Sequence, residues 1–357
     1  MKQIFILLSL LLSANVFALT SEFKGFIALN LLKVQKEEKK DTLLETGIGT
    51  VDLKFYAQHG DLSSKIKLDL DDKNLDEAYN LFEEAIVTYT INDFIAITAG
   101  KGLVPFHQKH YGILESSYID GGSPLGANNS WRDQDNKLLT ILKIGSYSQG
   151  LINRFTFYGE NKQIIKDSNN KPILDSQDKL QYADSKSFKT SDEKGFSNKL
   201  EVFFNNLALY ISGIHYSNNV APRSRYALDV GGRYKTKELE IWAEYMYGLW
   251  ATHQGHQYAA YKKYEHFIQL GAEFYINDLI NWIINSEVVL VDDIDWDTTT
   301  KDETNNCKLE TGIKFKIRKN SFFTVGILGE RKDSWQNKVK QPTRKLAKLG
   351  FNLALWF

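Results

Sequence analysis

The chain has 357 residues, with 44 Lys+Arg against 44 Asp+Glu and a formal net charge of zero. Only 5 prolines against 43% hydrophobic residues exclude a disordered or collagen-like chain, and the charge balance argues against a nucleic-acid partner. One cysteine, Cys307, excludes an internal disulfide framework and a Cys-cluster zinc site, while 18 Tyr, 21 Phe and 7 Trp exceed the needs of one soluble core.

Residues 1–18 read MKQIFILLSLLLSANVFA. A basic start at Lys2, an apolar run from Ile4 to Leu12 and the small-residue ending Val16-Phe17-Ala18 have the form of a secretory signal peptide. The mature segment is then 19–357, beginning near Leu19. Beyond the signal no window approaches the ~18 apolar residues of a spanning helix. An exported chain of this kind is periplasmic, secreted or resident in the outer membrane of a Gram-negative bacterium.

The dominant pattern is a period of two. In chain order it predicts strands at 22–34, 46–58, 62–71, 79–90, 94–102, 136–145, 149–159, 196–205, 207–217, 223–234, 237–249, 264–276, 279–291, 307–318, 320–331 and 344–357. In the second, Val51, Leu53, Phe55 and Ala57 alternate with Asp52, Lys54 and Tyr56. In the eleventh, Leu239, Ile241, Ala243 and Tyr245 alternate with Glu240, Trp242 and Glu244. In the last, Leu349, Phe351, Leu353, Leu355 and Phe357 alternate with Lys348, Gly350, Asn352 and Ala354. Charges at alternate positions cannot face lipid, so they face a wet interior. A soluble sandwich also alternates, but its polar face is outside.

The connections alternate as well. Gly60-Asp61, Ile91-Asn92-Asp93, Tyr147-Ser148, Asn205-Asn206, Lys235-Thr236, Asn277-Asp278 and Lys319-Asn320 read as short turns. The segments 103–135, 160–195, 250–263, 292–306 and 332–343 read as long polar loops. The expected fold is therefore all-β: a transmembrane antiparallel up-and-down barrel of about 16 strands, with short periplasmic turns and long outer loops. That size encloses room for an aqueous channel. Tyr56, Tyr89, Tyr158, Tyr216, Tyr234, Trp250, Tyr275 and Trp356 fall near strand ends and read as aromatic girdles at the two membrane interfaces.

A terminal strand ending in Phe357 resembles the last strand of bacterial outer-membrane barrels. From Glu84 to Phe106 the chain reads EAIVTYTINDFIAITAGKGLVPF. This hairpin resembles the phosphate-selective porin O and P type family and its siderophore-porin relatives. The positions that carry the resemblance are Glu84, Ala85, Gly100, Lys101, Pro105 and Phe106, with His107 where the family continues with glycine. The resemblance implies a sixteen-stranded, often trimeric, passive channel whose third outer loop folds into the lumen. Its partners would be small hydrophilic solutes or ions and outer-membrane lipid, with no cofactor and a homotrimeric assembly.

The third outer connection, 103–135, is the candidate lumen-constricting loop, with His107, Lys109, His110, Glu115, Asp120 and Arg132 as candidate constriction groups. A surface loop of ordinary solvated charges is the bland alternative. His107 and His110 lack a third ligand, so no metal site is expected. The candidate lumen-wall residues are Glu84, Arg154, Arg225, Asp229, Arg233, Glu240 and Glu244. The full inward list holds ten bases (Lys54, Lys65, Lys67, Arg154, Lys199, Arg225, Arg233, Lys314, Lys316, Lys348) and ten acids (Asp52, Asp69, Glu84, Glu201, Asp229, Glu240, Glu244, Glu273, Glu287, Glu310). Counting alone leaves the ion sign open.

No nucleophile elbow and no His-Glu-x-x-His helix occurs; Glu115, His110 and Ser116 share one loop without supporting context, so no enzyme is expected. Three readings stand: a general porin, a channel specific for phosphate or an iron–siderophore chelate, and a barrel acting as an adhesin or structural protein through its outer loops.

Overall fold

The structure is a computed structural model and describes residues 20–38, 40–70, 82–106, 137–160, 162–169, 171, 173, 181–184, 193–218, 223–252, 261–295, 301–318 and 320–356. Sixteen long strands follow one another: β1 (Thr20–Glu37), β2 (Leu43–His59), β3 (Leu62–Asp69), β4 (Phe82–Thr90), β5 (Ile95–Gly102), β6 (Lys137–Ser146), β7 (Leu151–Glu160) and β8 (Glu193–Phe204). They continue with β9 (Leu207–Asn218), β10 (Arg223–Lys235), β11 (Leu239–Thr252), β12 (Tyr261–Tyr275), β13 (Ile280–Asp295), β14 (Lys301–Arg318), β15 (Ser321–Gln336) and β16 (Arg344–Trp356). Each pairs antiparallel with the next, and β16 returns to β1 through Trp356↔Phe26 and Leu349↔Val34. The sheet is a closed barrel, which leaves no edge unpaired in lipid.

Burial divides the two faces. On β10, Tyr226, Leu228 and Val230 are exposed while Ala227 and Asp229 are buried. On β14, Leu309, Ile313, Phe315 and Ile317 are exposed while Lys308, Glu310 and Lys314 are buried. Apolar side chains thus point out and charges point in, the inverse of a soluble core. From Ile317 to Cys307 β14 runs about 33 Å at ~3.3 Å per residue, or about 25 Å along the membrane normal at a tilt of ~40°. Polar groups on the outward face are satisfied locally: Asn198 donates to Asn153 at 2.6 Å, the Trp282 indole to Thr311 at 2.9 Å, and Tyr245 pairs with His266 at 2.9 Å. Lipid supplies no partner for them.

The turns form where short polar side chains replace backbone partners. Asn92 accepts from the amides of Phe94 and Ile95 (2.9 and 2.8 Å), Asn277 from those of Leu279 and Ile280 (2.8 and 2.9 Å), and Thr236 from those of Glu238 and Leu239 (3.2 and 3.1 Å). Two outer connections are shorter than expected. The segment 332–343 is mostly strand: β15 runs to Gln336, Val339–Lys340 pairs back onto Trp335 and Gln336, and Asn337 and Lys338 take φ of 51° and 67°, as a tight primed turn requires. Likewise β13 reaches Asp295 and β14 starts at Lys301. Above the apolar band both faces meet water, so the chain stays paired while its alternation fades.

The aromatic rows also differ from the expectation. Of the named set, only Tyr89 and Tyr234 are exposed on the outward face among the side chains described. Tyr158 is buried inside, Tyr275 donates to Glu240 within the lumen, and Tyr56 shares its inward row with Lys54. Tyr216 and Trp250 pair through their backbones with Arg225, and Trp356 with Phe26; the side chains of Tyr216, Trp250 and Trp356 lie outside the described residues. The periplasmic row is instead built by phenylalanines and one tryptophan: Phe23–Phe55 at 4.9 Å, Phe274–Trp282 at 5.0 Å and Phe315–Phe323 at 6.2 Å between ring centroids. The outer row joins Phe196, His215 and Tyr226, with centroids 5.4 and 4.7 Å apart.

Candidate pore lumen

Inward side chains meet across neighbouring strands, because residues paired in an antiparallel ladder place their Cβ atoms about 5 Å apart. Lys67 of β3 bonds Asp52 of β2 at 3.0 Å, and Lys65 pairs with Glu84 of β4. Arg154 of β7 pairs with Glu201 of β8, which also meets Lys199 at 3.4 Å. Glu240 of β11 collects three donors: Arg233 at 2.5 Å, Lys235 at 3.0 Å and the Tyr275 hydroxyl at 2.9 Å. On β12 and β13, Gln269 donates to Asn285 (3.1 Å) and Glu287 (3.2 Å), and Asn281 donates to Glu273 at 2.6 Å. Charges taken out of water need partners of this kind.

Aromatic rings on the wall lie over glycines. Tyr158 is paired with Gly195, Tyr210 with Gly231 and Trp242 with Gly271. A Cβ at any of these three glycines would collide with the ring opposite. The missing side chain is what lets a buried ring fold flat against the sheet.

The chain leaving β5 turns into the barrel. Gly100 has φ of 138°, and a Cβ there would collide with the Ala85 carbonyl oxygen, so the kink requires glycine. Val104 and Phe106 then pack on Leu139, Tyr158, Ile214, Met246 and Phe267, all inward side chains of the wall. Phe106 has no exposed surface. Two wall hydroxyls hold the backbone: Ser197 donates to the Pro105 carbonyl at 3.2 Å and Ser212 donates to the Phe106 carbonyl. Inside a charged lumen, an apolar shelf on β6–β13 thus receives the first residues of the third outer connection.

Of the sequence-predicted residues, Glu84, Arg154, Arg233 and Glu240 lie on the lumen wall in the ion pairs above. Asp229 and Glu244 are buried there, opposite Ser212 and Gln269 respectively. Arg225 pairs through its backbone with Tyr216 and Trp250 on the inward register, and its side chain is outside the described residues. His107, Lys109, His110, Glu115, Asp120 and Arg132 all lie outside the described residues. Glu265, buried on the wall, was missed although it continues an alternating run. Phe106 entered the sequence reading only as part of a motif; nothing in an apolar residue after a strand says that its partner is the opposite wall.

The closed barrel of sixteen strands has counterparts among solved proteins. The fold is that of the bacterial outer-membrane porins. OmpT of Vibrio cholerae, in its trimer form, superposes with a TM-score of 0.63 at 12% identity, covering 95% of this chain and 100% of that one. The anion-selective porin of Comamonas acidovorans gives 0.61 at 13% identity, with 94% and 100% covered. OmpF of Salmonella typhi gives 0.59 at 11% identity, with 94% and 97% covered. No protein-family model and no curated protein matches the chain. Among solved structures the likeness extends to general porins, and the phosphate-selective family is not singled out by it.

Proposed function

We propose that this protein is an outer-membrane porin, a water-filled channel for passive diffusion of small hydrophilic solutes and ions. The observation that carries the reading is the reversal of polarity across one closed wall: exposed Leu309, Ile313 and Phe315 outside, ion-paired lysines and carboxylates inside. A barrel of sixteen strands is wider than side chains alone fill, which leaves an aqueous path. The connection 103–135 narrows that path, a reading supported by the seating of Val104 and Phe106 on the inner wall. Residues 1–18 direct export, and the working unit is a homotrimer, as the fold's relatives include a trimeric form. The inward faces mix both signs of charge, so a general rather than phosphate- or chelate-specific channel fits them better. Purified mature protein in a planar bilayer should give stepwise ohmic currents. Electrically silent insertion would leave an adhesin or structural barrel as the better reading.

A further inference from the structure

The sign of the ion that the lumen favours is hidden by counting charges, because paired charges are not equally wet. Across the wall the acid is the inner partner and the base the outer one. Side-chain exposure is 29% for Lys65 against 13% for Glu84, 36% for Arg233 against 4% for Glu240, and 54% for Lys235 against the same 4%. Lys67 is likewise more exposed than Asp52, and Arg154 more than Glu201. Lys199, buried beside the Tyr210 ring at 4.9 Å, is an exception, as is Lys24, slightly less exposed than its partner Glu22 on β1. The cause is geometric. A carboxylate on a short stem sits near the sheet, where two or three donors converge on it, while the long stems of Lys and Arg carry their charge toward water.

The asymmetry is greatest at the periplasmic end, around Tyr275 of β12. Lys235 lies 5.7 Å from the centre of its ring and Lys316 of β14 lies 5.9 Å from it. Arg233 and Lys314 complete the group, and the only carboxylates among these described residues are the buried Glu240 and Glu273. Four cations thus face two acids. Glu240 is occupied by Arg233, Lys235 and the Tyr275 hydroxyl, whereas Lys316 has no carboxylate partner among the described residues. The neighbouring turn charges balance in number, Lys237 and Arg318 against Glu238 and Asp278, and the exposed Glu22 of β1 is held by Lys24 at 2.9 Å.

We propose that the cluster Arg233, Lys235 and Lys316 around Tyr275 makes the periplasmic mouth of the lumen an anion-attracting vestibule, so that the channel passes small inorganic and carboxylate anions in preference to cations. The inference rests on the pore reading above. A unit charge ~7 Å from a permeating ion enriches the counter-ion about threefold in water, and about twofold after screening at ~0.1 M salt. The vestibule carries a surplus of two, and each charge attracts anions while repelling cations.

The test is the reversal potential of the full mature protein in a planar bilayer under a KCl gradient. The chloride-to-potassium permeability ratio should exceed about 3 in the native protein and fall toward 1 in Lys235→Gln/Lys316→Gln, since both cations act at Debye range. Arg233 is left in place, so Glu240 keeps a partner, and heat-modified electrophoresis verifies that the variant barrel is closed. The single variants Lys235→Gln and Lys316→Gln should each give an intermediate ratio, and Lys340→Gln, on the outer rim, the native one. A native channel that prefers potassium, or a double variant with an unchanged ratio, overturns the vestibule and leaves the porin standing. A protein that passes no current overturns the porin itself, and the vestibule with it.

Discussion

Replacing Phe106 by alanine removes the apolar anchor that holds the chain after β5 against the inner wall. The side chain is fully buried among Leu139, Tyr158, Ile214, Met246 and Phe267. A buried phenylalanine covers ~150–250 Å², and its loss costs about 3–5 kcal/mol when the site does not collapse. The neighbouring hydrogen bond from Ser212 to the Phe106 carbonyl contributes about 1 kcal/mol, the usual net value for such a bond. If docking of this segment is two-state, Phe106→Ala shifts it toward release by about 10³-fold and Ser212→Ala by about fivefold. The barrel ladders themselves are untouched, because neither side chain carries a strand hydrogen bond. Single-channel recording should therefore find Phe106→Ala with larger or strongly fluctuating conductance, Phe106→Leu much nearer native, and Ser212→Ala close to native. Native conductance and noise in Phe106→Ala would refute the reasoning. So would a Ser212→Ala channel as altered as Phe106→Ala, since the hydroxyl rather than the ring would then hold the segment.

Three further outcomes follow from the same geometry. Gly271→Ala forces a Cβ into the Trp242 indole, so the temperature at which the barrel unfolds on a semi-native gel should drop by an amount matching about 1–3 kcal/mol of overpacking; Gly329→Ala, with open space at that position, should be neutral. Ile211→Arg, on the outward face near mid-wall, should cost about 2–4 kcal/mol of folding free energy in lipid vesicles, measured by denaturant titration, whereas the inward Ser212→Ala should cost about 1 kcal/mol. Asp333, above the apolar band, is held down to about 2 by the Thr343 hydroxyl at 2.6 Å and then by Arg331 at 2.7 Å. Its folded value lies below the ordinary carboxylate one, so its contribution is complete above pH ~4 and is lost as the pH falls through about 2; proteolytic cutting at the 332–343 hairpin should rise over that window and lose this dependence in Asp333→Asn.

The wall was legible because lipid imposes a rule that water does not. Leu349, Phe351, Leu353 and Leu355 must all point one way, and Lys348 and Asn352 the other, so period and parity coincide over a whole strand. The turns were legible because Asn92, Thr236 and Asn277 do local chemistry with the amides that follow them. Where lipid ends, the rule ends. Residues 301–306, and 332–336 apart from Trp335, are polar on both faces, and their strands persist through backbone pairing without an alternating pattern in the sequence. Tyrosine was misread for a related reason: its ring suits a membrane interface, but its hydroxyl suits a lumen equally well, as Tyr275 shows by bonding Glu240.

The charges carry the deeper lesson. The ten bases and ten acids that the alternation assigns to the inward faces would cancel if all were equally wet. Stem length breaks the tie: Glu240 lies against the sheet under three donors, while Lys235 and Lys316 reach past it toward water. An ion in the lumen feels the charges that water can touch far more than those sealed behind them, because opposite charges in close contact present only a dipole at a distance. A neutral inventory is thus compatible with a strongly signed pore, and selectivity depends on which member of each pair is outermost. That ordering follows from side-chain length once a residue is known to face inward, so the alternation that located Arg233, Glu240 and Lys316 on the inner wall already contains it; Lys235, read as a turn residue, continues the same row.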